Sequence, residues 1–134
     1  MTPTQTPSFN PKTFLTQVGD GKTILSCRKN HILFSQGDKA DAVFYILKGK
    51  VTLTVASNRG KEAILAILEP AAFFGEACLT GQVLRLEAAT ALGVAKIVRI
   101  GKTAMIKVLH DEPTFSQLFL AHLLARVLLL MAHF

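Results

Sequence analysis

Val51-Thr52-Leu53-Thr54-Val55 alternates apolar and polar side chains, Ser57-Asn58-Arg59-Gly60 follows, and the apolar run from Ala63 to Leu68 comes next. Successive side chains of an extended chain point to opposite faces, so a period of two predicts a half-buried strand. Asn and Gly accept positive φ at little cost, which makes residues 57–60 a hairpin loop and residues 63–68 the partner strand, ended by Pro70. The same texture runs from Ile24 to Ile100. Ile24-Leu25 and Ile32-Leu33-Phe34 are apolar bursts split by the polar Arg28-Lys29-Asn30-His31. Gln36-Gly37-Asp38 and Lys48-Gly49-Lys50 are breaks on either side of the β-branched and aromatic stretch from Val43 to Leu47. The segments from Leu84 to Leu92 and from Val94 to Ile100 flank Gly93 as another expected hairpin. Many short strands at this spacing predict a β-rich core: a sandwich, a jelly roll or a barrel.

The two ends read differently. Pro3, Pro7 and Pro11 crowd the start, so residues 1–13 are expected to form a mobile arm. Phe14, Leu15 and Val18 suit a short helix that Gly19 and Gly21 stop. Thr103 to His110 has helical composition, and Asp111-Glu112-Pro113 suits the first turn of a second helix. No Gly or Pro interrupts residues 114–134. There Leu120, Leu123, Leu124, Val127, Leu128 and Met131 follow the spacing of an apolar stripe. Val127 to Ala132 is apolar all round and needs a cover, either the β-core or a partner chain. The expected organisation is the arm, a β-rich domain over residues 14–110, and a C-terminal helix over residues 111–134.

Composition narrows the classes. A chain of 134 residues, half of them hydrophobic and 18% charged, is one folded domain rather than a disordered segment. The net charge of +6 comes from Lys and Arg scattered without a run of five, which suits solubility better than a nucleic-acid arm. No basic start leads into an apolar run, and no uncharged stretch reaches the roughly 18 residues of a membrane span. Two distant cysteines, Cys27 and Cys78, do not make a disulfide framework; reduced thiols in the cytoplasm are expected.

Among groups that carry chemistry, Phe73-Phe74-Gly75-Glu76-Ala77-Cys78 followed by Arg85 stands out. Gly75 permits a sharp turn, amides after it can open a helical turn, and an arginine can bind phosphate with two parallel hydrogen bonds. A tight turn and a surface arginine are the plain alternative. His31, His110, His122 and His133 lack the spacing of a metal site, and no metal is expected. His122 and Arg126, four apart, read as a solvated helix edge. The serines form no nucleophile elbow, and Cys78 reads as a small packing residue. No catalysis is expected.

These pieces then fall into one order. Leu33-Phe34-Ser35-Gln36-Gly37-Asp38, Tyr45-Ile46-Leu47-Lys48-Gly49-Lys50-Val51, Phe74-Gly75-Glu76, Arg85 and Ile97-Val98-Arg99-Ile100 together resemble the cyclic-nucleotide-binding sensor domain of the Crp/Fnr family of bacterial transcription regulators. The resemblance covers about residues 24–110. Gly37, Gly49, Gly60 and Gly75 fall where a turn favours positive φ. It implies a mainly β fold: a jelly-roll (double-stranded β-helix) sandwich with flanking N- and C-terminal helices. It also implies a ligand, cyclic AMP or cyclic GMP. Gly75, Glu76 and Ala77 would form the phosphate cassette, with Glu76 toward the ribose and backbone amides and Arg85 toward the phosphate.

Two departures from that family carry consequences. Nucleotide-binding members usually follow the arginine with Ser or Thr and then Ala, whereas here Leu86 and Glu87 follow. If Leu84 to Leu92 is a strand, Arg85 and Glu87 share a face. Glu87 would then compete for the arginine and repel phosphate by about 1–4 kcal/mol. The missing hydroxyl at Leu86 removes roughly 0.5–1.5 kcal/mol more. The pocket is therefore expected to keep its shape and to bind nucleotide weakly or not at all. Relatives also carry a long dimer helix and a DNA-reading helix-turn-helix. Residues 125–130 look more like the start of that reader than like a dimer helix, so a shortened helix joined to a remnant is expected, without direct DNA recognition. The leading expectation is a regulatory ligand sensor, homodimeric through its C-terminal helix. The alternative is a ligand-free dimerisation module that modulates a full-length regulator.

Overall fold

A computed structural model describes residues 11–131, and the expected arm over residues 1–10 lies outside the described residues. Helix α1 (Pro11–Val18) starts inside the stretch read as arm, because proline's fixed φ suits the first helical position. A 3₁₀ turn at Gly19–Gly21 ends it. Eight strands follow: β1 (Lys22–Cys27), β2 (Ile32–Phe34), β3 (Ala42–Lys48), β4 (Val51–Ala56), β5 (Glu62–Leu68), β6 (Phe73–Phe74), β7 (Ala88–Ala91) and β8 (Ala95–Gly101). Helices α2 (Lys102–Asp111) and α3 (Pro113–Met131) close the described chain.

The strands make two antiparallel four-stranded sheets, ordered β1-β8-β3-β6 and β2-β7-β4-β5. This is the expected jelly-roll sandwich, mainly β with flanking helices. The first sheet is the middle of three layers. One face meets the second sheet through Phe44, Ile46, Phe74 and Ile97; the other meets the helices through Val43, Tyr45, Phe73, Val98 and Ile100. A strand covered on both faces needs apolar side chains at every position, which explains the unbroken run in β3. Phe73 and Phe74 divide between the layers by the same alternation. Phe73 meets Phe119 edge-on at 5.0 Å, and Phe74 stacks on Phe44 at 5.0 Å.

The β4–β5 hairpin forms as expected, with Gly60 at φ +77° and the Ser57 hydroxyl accepting from the Arg59 and Lys61 amides. Two expectations fail. Residues 84–92 are not one strand: residues 86–87 bend and β7 begins at Ala88. Nor do β7 and β8 make a hairpin, because β7 pairs with β2 and β4 while β8 pairs with β1 and β3. Gly93 lies where the chain passes from one sheet to the other, and each strand finds better partners there than its sequence neighbour.

Helix α3 runs through the C-terminal segment without a break, and residues 125–130 lie within it. Its buried seam is Phe115 and Phe119 with half-buried Leu123; Leu120, Leu124, Val127, Leu128 and Met131 are exposed. Most of the predicted stripe therefore faces away from the β-core, whose helix-facing layer takes aromatic rings instead. Among the described residues no helix is long and apolar enough to cross a membrane.

Gly49 joins the two sheets at φ +84°, and a Cβ there would lie 2.5 Å from the Val94 carbonyl oxygen and 2.8 Å from Ala95. Left-handed backbone and lack of space act together. Gly49→Ala is expected to lower the unfolding free energy by about 1–3 kcal/mol in denaturant titration; a change under roughly 0.5 kcal/mol would contradict this tight crossing.

Candidate anion-binding site

The short β6 leads into Gly75, whose φ of +76° turns the chain sharply into the 3₁₀ turn Glu76–Thr80. A Cβ at Gly75 would sit 3.0 Å from Arg85 Nη1 and 3.2 Å from the Phe44 ring, so glycine serves both the turn and the approach of the arginine. Of the predicted cassette residues, Gly75 accepts from Arg85 and Ala77 lines the cavity beside it, whereas Glu76 turns to Arg126 on α3. Ala77, Arg85, Leu86 and Glu87 line one small cavity of about 80 Å³ together with Ala40 and Gln82. That volume exceeds the roughly 30 Å³ share of one water in the liquid.

Arg85 is 5% exposed, and among the described residues no carboxylate pairs with it. Its Nη1 donates to the Gly75 carbonyl at 2.7 Å and its Nη2 to the Ala42 carbonyl at 2.6 Å. The guanidinium lies 4.2 Å from the centroid of the Phe34 ring. Its Nε–H is buried without a partner. Burial draws the guanidinium below its ordinary range, opposed by Cys78, Asp41, Glu87 and Glu76. The site is a cation fixed in place by neutral carbonyls, with its Nε–H unpaired among the described residues.

The expected rivalry of Glu87 for Arg85 takes another form. Because residues 86–87 bend, the two side chains do not stand on one strand face, and carbonyls rather than Glu87 hold the guanidinium. Glu87 nevertheless lines the cavity. Burial and then Glu76 push its carboxyl up, against Arg126 and Arg85. Leu86 is 66% exposed at the same rim.

Glu76 is tied to α3. Its Oε1 meets Arg126 Nη1 at 2.8 Å, with side-chain exposures of 23% and 29%, while its Oε2 is buried and unpartnered. The same Arg126 nitrogen donates to the Phe73 carbonyl at 2.8 Å, and His122 Nε2 accepts from the Phe73 amide at 3.3 Å. His122 and Arg126, read from sequence as a solvated edge, instead face the cassette. Their four-residue spacing was the available signal, but it could not show which face of an apolar helix is covered. Cys78 is fully buried with its Sγ against the Ala42 carbonyl, and burial pushes its thiol up, so it packs as an un-ionised group. Among the described residues no three His, Cys, Asp or Glu side chains converge as metal ligands.

Comparison with known proteins fits this geometry. The family model for the cyclic nucleotide-binding domain matches residues 24–112. The CRP-like cAMP-activated global transcriptional regulator of Mycobacterium tuberculosis is 27% identical over 99 residues, covering 74% of this chain and 44% of that protein. The cAMP-activated global transcriptional regulator CRP of Pasteurella multocida is 45% identical over 47 residues, covering 35% of this chain and 22% of that protein. The chain therefore spans less than half the length of these curated relatives. Among solved structures, the Catabolite Activator Protein of Thermus thermophilus superposes with a TM-score of 0.74 at 26% identity, over 89% of this chain and 55% of that one. The sensor domain of the regulator DNR from Pseudomonas aeruginosa shares the fold, with a TM-score of 0.72 at 21% identity over 93% of this chain and 83% of that one. With fold and matched span in agreement, the chain belongs to the cyclic nucleotide-binding domain family.

Proposed function

We propose that this chain is a regulatory sensor that takes the phosphate of a cyclic nucleotide, cyclic AMP or cyclic GMP, at Arg85, and that it performs no catalysis. The observation that carries the reading is a buried guanidinium that has no counter-ion among the described residues. An isolated charge in a protein interior is costly unless an opposite charge or hydrogen bonds offset it. The carbonyls of Gly75 and Ala42 supply part of that, and an anion in the adjoining cavity would supply the rest through the free Nε–H. Glu76 would receive a ribose hydroxyl on its unpartnered Oε2, and the backbone amides around Ala77 would face the phosphate.

The same cavity holds the terms that weaken this capture. Glu87 places a second carboxylate near the phosphate position, and Leu86 offers no hydroxyl. The cavity also admits a phosphate group and not a whole nucleotide, whose pocket needs roughly 300 Å³ or more. Binding therefore requires an opening between the cassette and α3. Glu76 is the shared element: a ribose that claims it draws on the carboxylate now paired with Arg126, so ligand and helix position bias one another. Two buried unpaired thiols, Cys27 and Cys78, fit a cytoplasmic setting. We assign residues 11–131 no sequence-specific DNA contact.

A second reading rests on α3. Leu120, Leu124, Val127, Leu128 and Met131 leave a row of apolar side chains exposed, and a second copy of the chain through the same face would cover them. Sedimentation equilibrium is expected to give a dimer that Leu124→Glu dissociates; a monomer at all concentrations would remove this partner.

Calorimetric titration with cyclic AMP and cyclic GMP tests the sensor itself. The wild-type chain is expected to bind weakly. Leu86→Ser with Glu87→Ala is expected to tighten binding by about tenfold or more, by removing a repulsive carboxylate and restoring a hydroxyl. No binding by either form, with the protein folded, would sink the sensor reading in favour of a dimerisation module.

A further inference from the structure

We propose that His122 is a proton-operated latch: the neutral imidazole holds α3 against the edge of β6, and the imidazolium releases it. The argument begins with an edge strand. β6 is the last strand of its sheet, and Phe73 lies opposite Tyr45 in β3. The Phe73 amide and carbonyl find their partners on α3 instead, in His122 Nε2 and Arg126 Nη1. Two side chains one helical turn apart thus satisfy a strand edge on both its donor and its acceptor. The imidazole also meets the Phe73 ring edge-on, with centroids 5.6 Å apart.

A backbone amide can only donate, so Nε2 must be the unprotonated ring nitrogen in this arrangement. Adding a proton sets two donors against each other and breaks the bond between His122 and the Phe73 amide. It also puts a second cation beside Arg126. The charged groups facing His122 are Arg126 from α3 itself and Glu76 from the cassette turn, with Glu87 next to that pair. Burial and then Arg126 lower the proton affinity of His122; Glu76 and the hydrogen bond to Phe73 oppose them, and the balance is downward. The sign follows. A histidine whose docked value is depressed is held neutral, so docking is at full strength above the ordinary imidazole value of about 6.5 and weakens as pH falls below it. The consequence for ligand binding rests on the sensor reading, because the latch fixes the helix that holds Glu76.

The latch itself can be tested without nucleotide, so its failure and that of the sensor reading are distinguishable. Hydrogen exchange of the Phe73 amide in the full chain, corrected for intrinsic exchange, should show protection falling about threefold to tenfold from about pH 7.5 to about pH 5.5. His122→Gln keeps an acceptor that does not titrate and should remove that dependence. Unchanged protection in the wild type, or an equal fall in the variant, would overturn the proposal. Should the variant fold poorly, the ¹⁵N titration of the wild-type His122 ring decides: its midpoint must coincide with the loss of Phe73 protection, and separate midpoints refute the latch.

Discussion

The hydrogen bonds from Arg85 to the carbonyls of Gly75 and Ala42 are the contact on which the site depends. They join the loop before β7 to the turn after β6, ten residues earlier, and to the start of β3, 43 residues earlier. Each bond exists because the sequence leaves an acceptor free at that point. Gly75 has to turn in the left-handed region, and with no Cβ it lets the guanidinium approach. Stacked over Phe34 and closed off from water, the arginine keeps its charge in a place where charge is costly. On the proposed reading, an anion that enters once the cassette and α3 open would meet a guanidinium whose orientation is already fixed.

Around that cation the cassette has two kinds of neighbour. On the cavity side, Glu87 and Leu86 set a carboxylate and an apolar side chain beside Arg85. On the helix side, Arg126 and His122 hold Glu76 and Phe73, so the position of α3 and the state of the cassette form one mechanical unit. Regulation needs that link, because a ligand acts at a distance only when its contacts differ between two arrangements of the chain.

The sequence made the glycines legible for a physical reason. Gly37, Gly49, Gly60 and Gly75 all adopt positive φ, which other residues avoid, so their spacing marked the turns and through them the β-roll. Arg85 and Glu76 were legible as members of that ordered set. The loop before β7 was not: Val83, Leu84 and Leu86 are exposed yet as apolar as a strand, and periodicity cannot separate an apolar loop from a buried strand. Nor could it orient α3, which is apolar on two sides. Aromatic packing selects Phe115 and Phe119 for the interior and thereby turns His122 and Arg126 toward the cassette. The burial of Arg85 was equally hidden, because its acceptors are backbone carbonyls that every sequence possesses.

The measurement closest to the central claim is the side-chain ¹H–¹⁵N NMR spectrum of the arginines during addition of cyclic AMP. A buried cation awaiting an anion predicts that the Arg85 Nε–H resonance moves progressively toward that of a charge-assisted hydrogen bond, while the exposed Arg28 and Arg59 stay where they are. An Arg85 resonance that does not respond at saturating nucleotide, or a response confined to other arginines, would contradict the account.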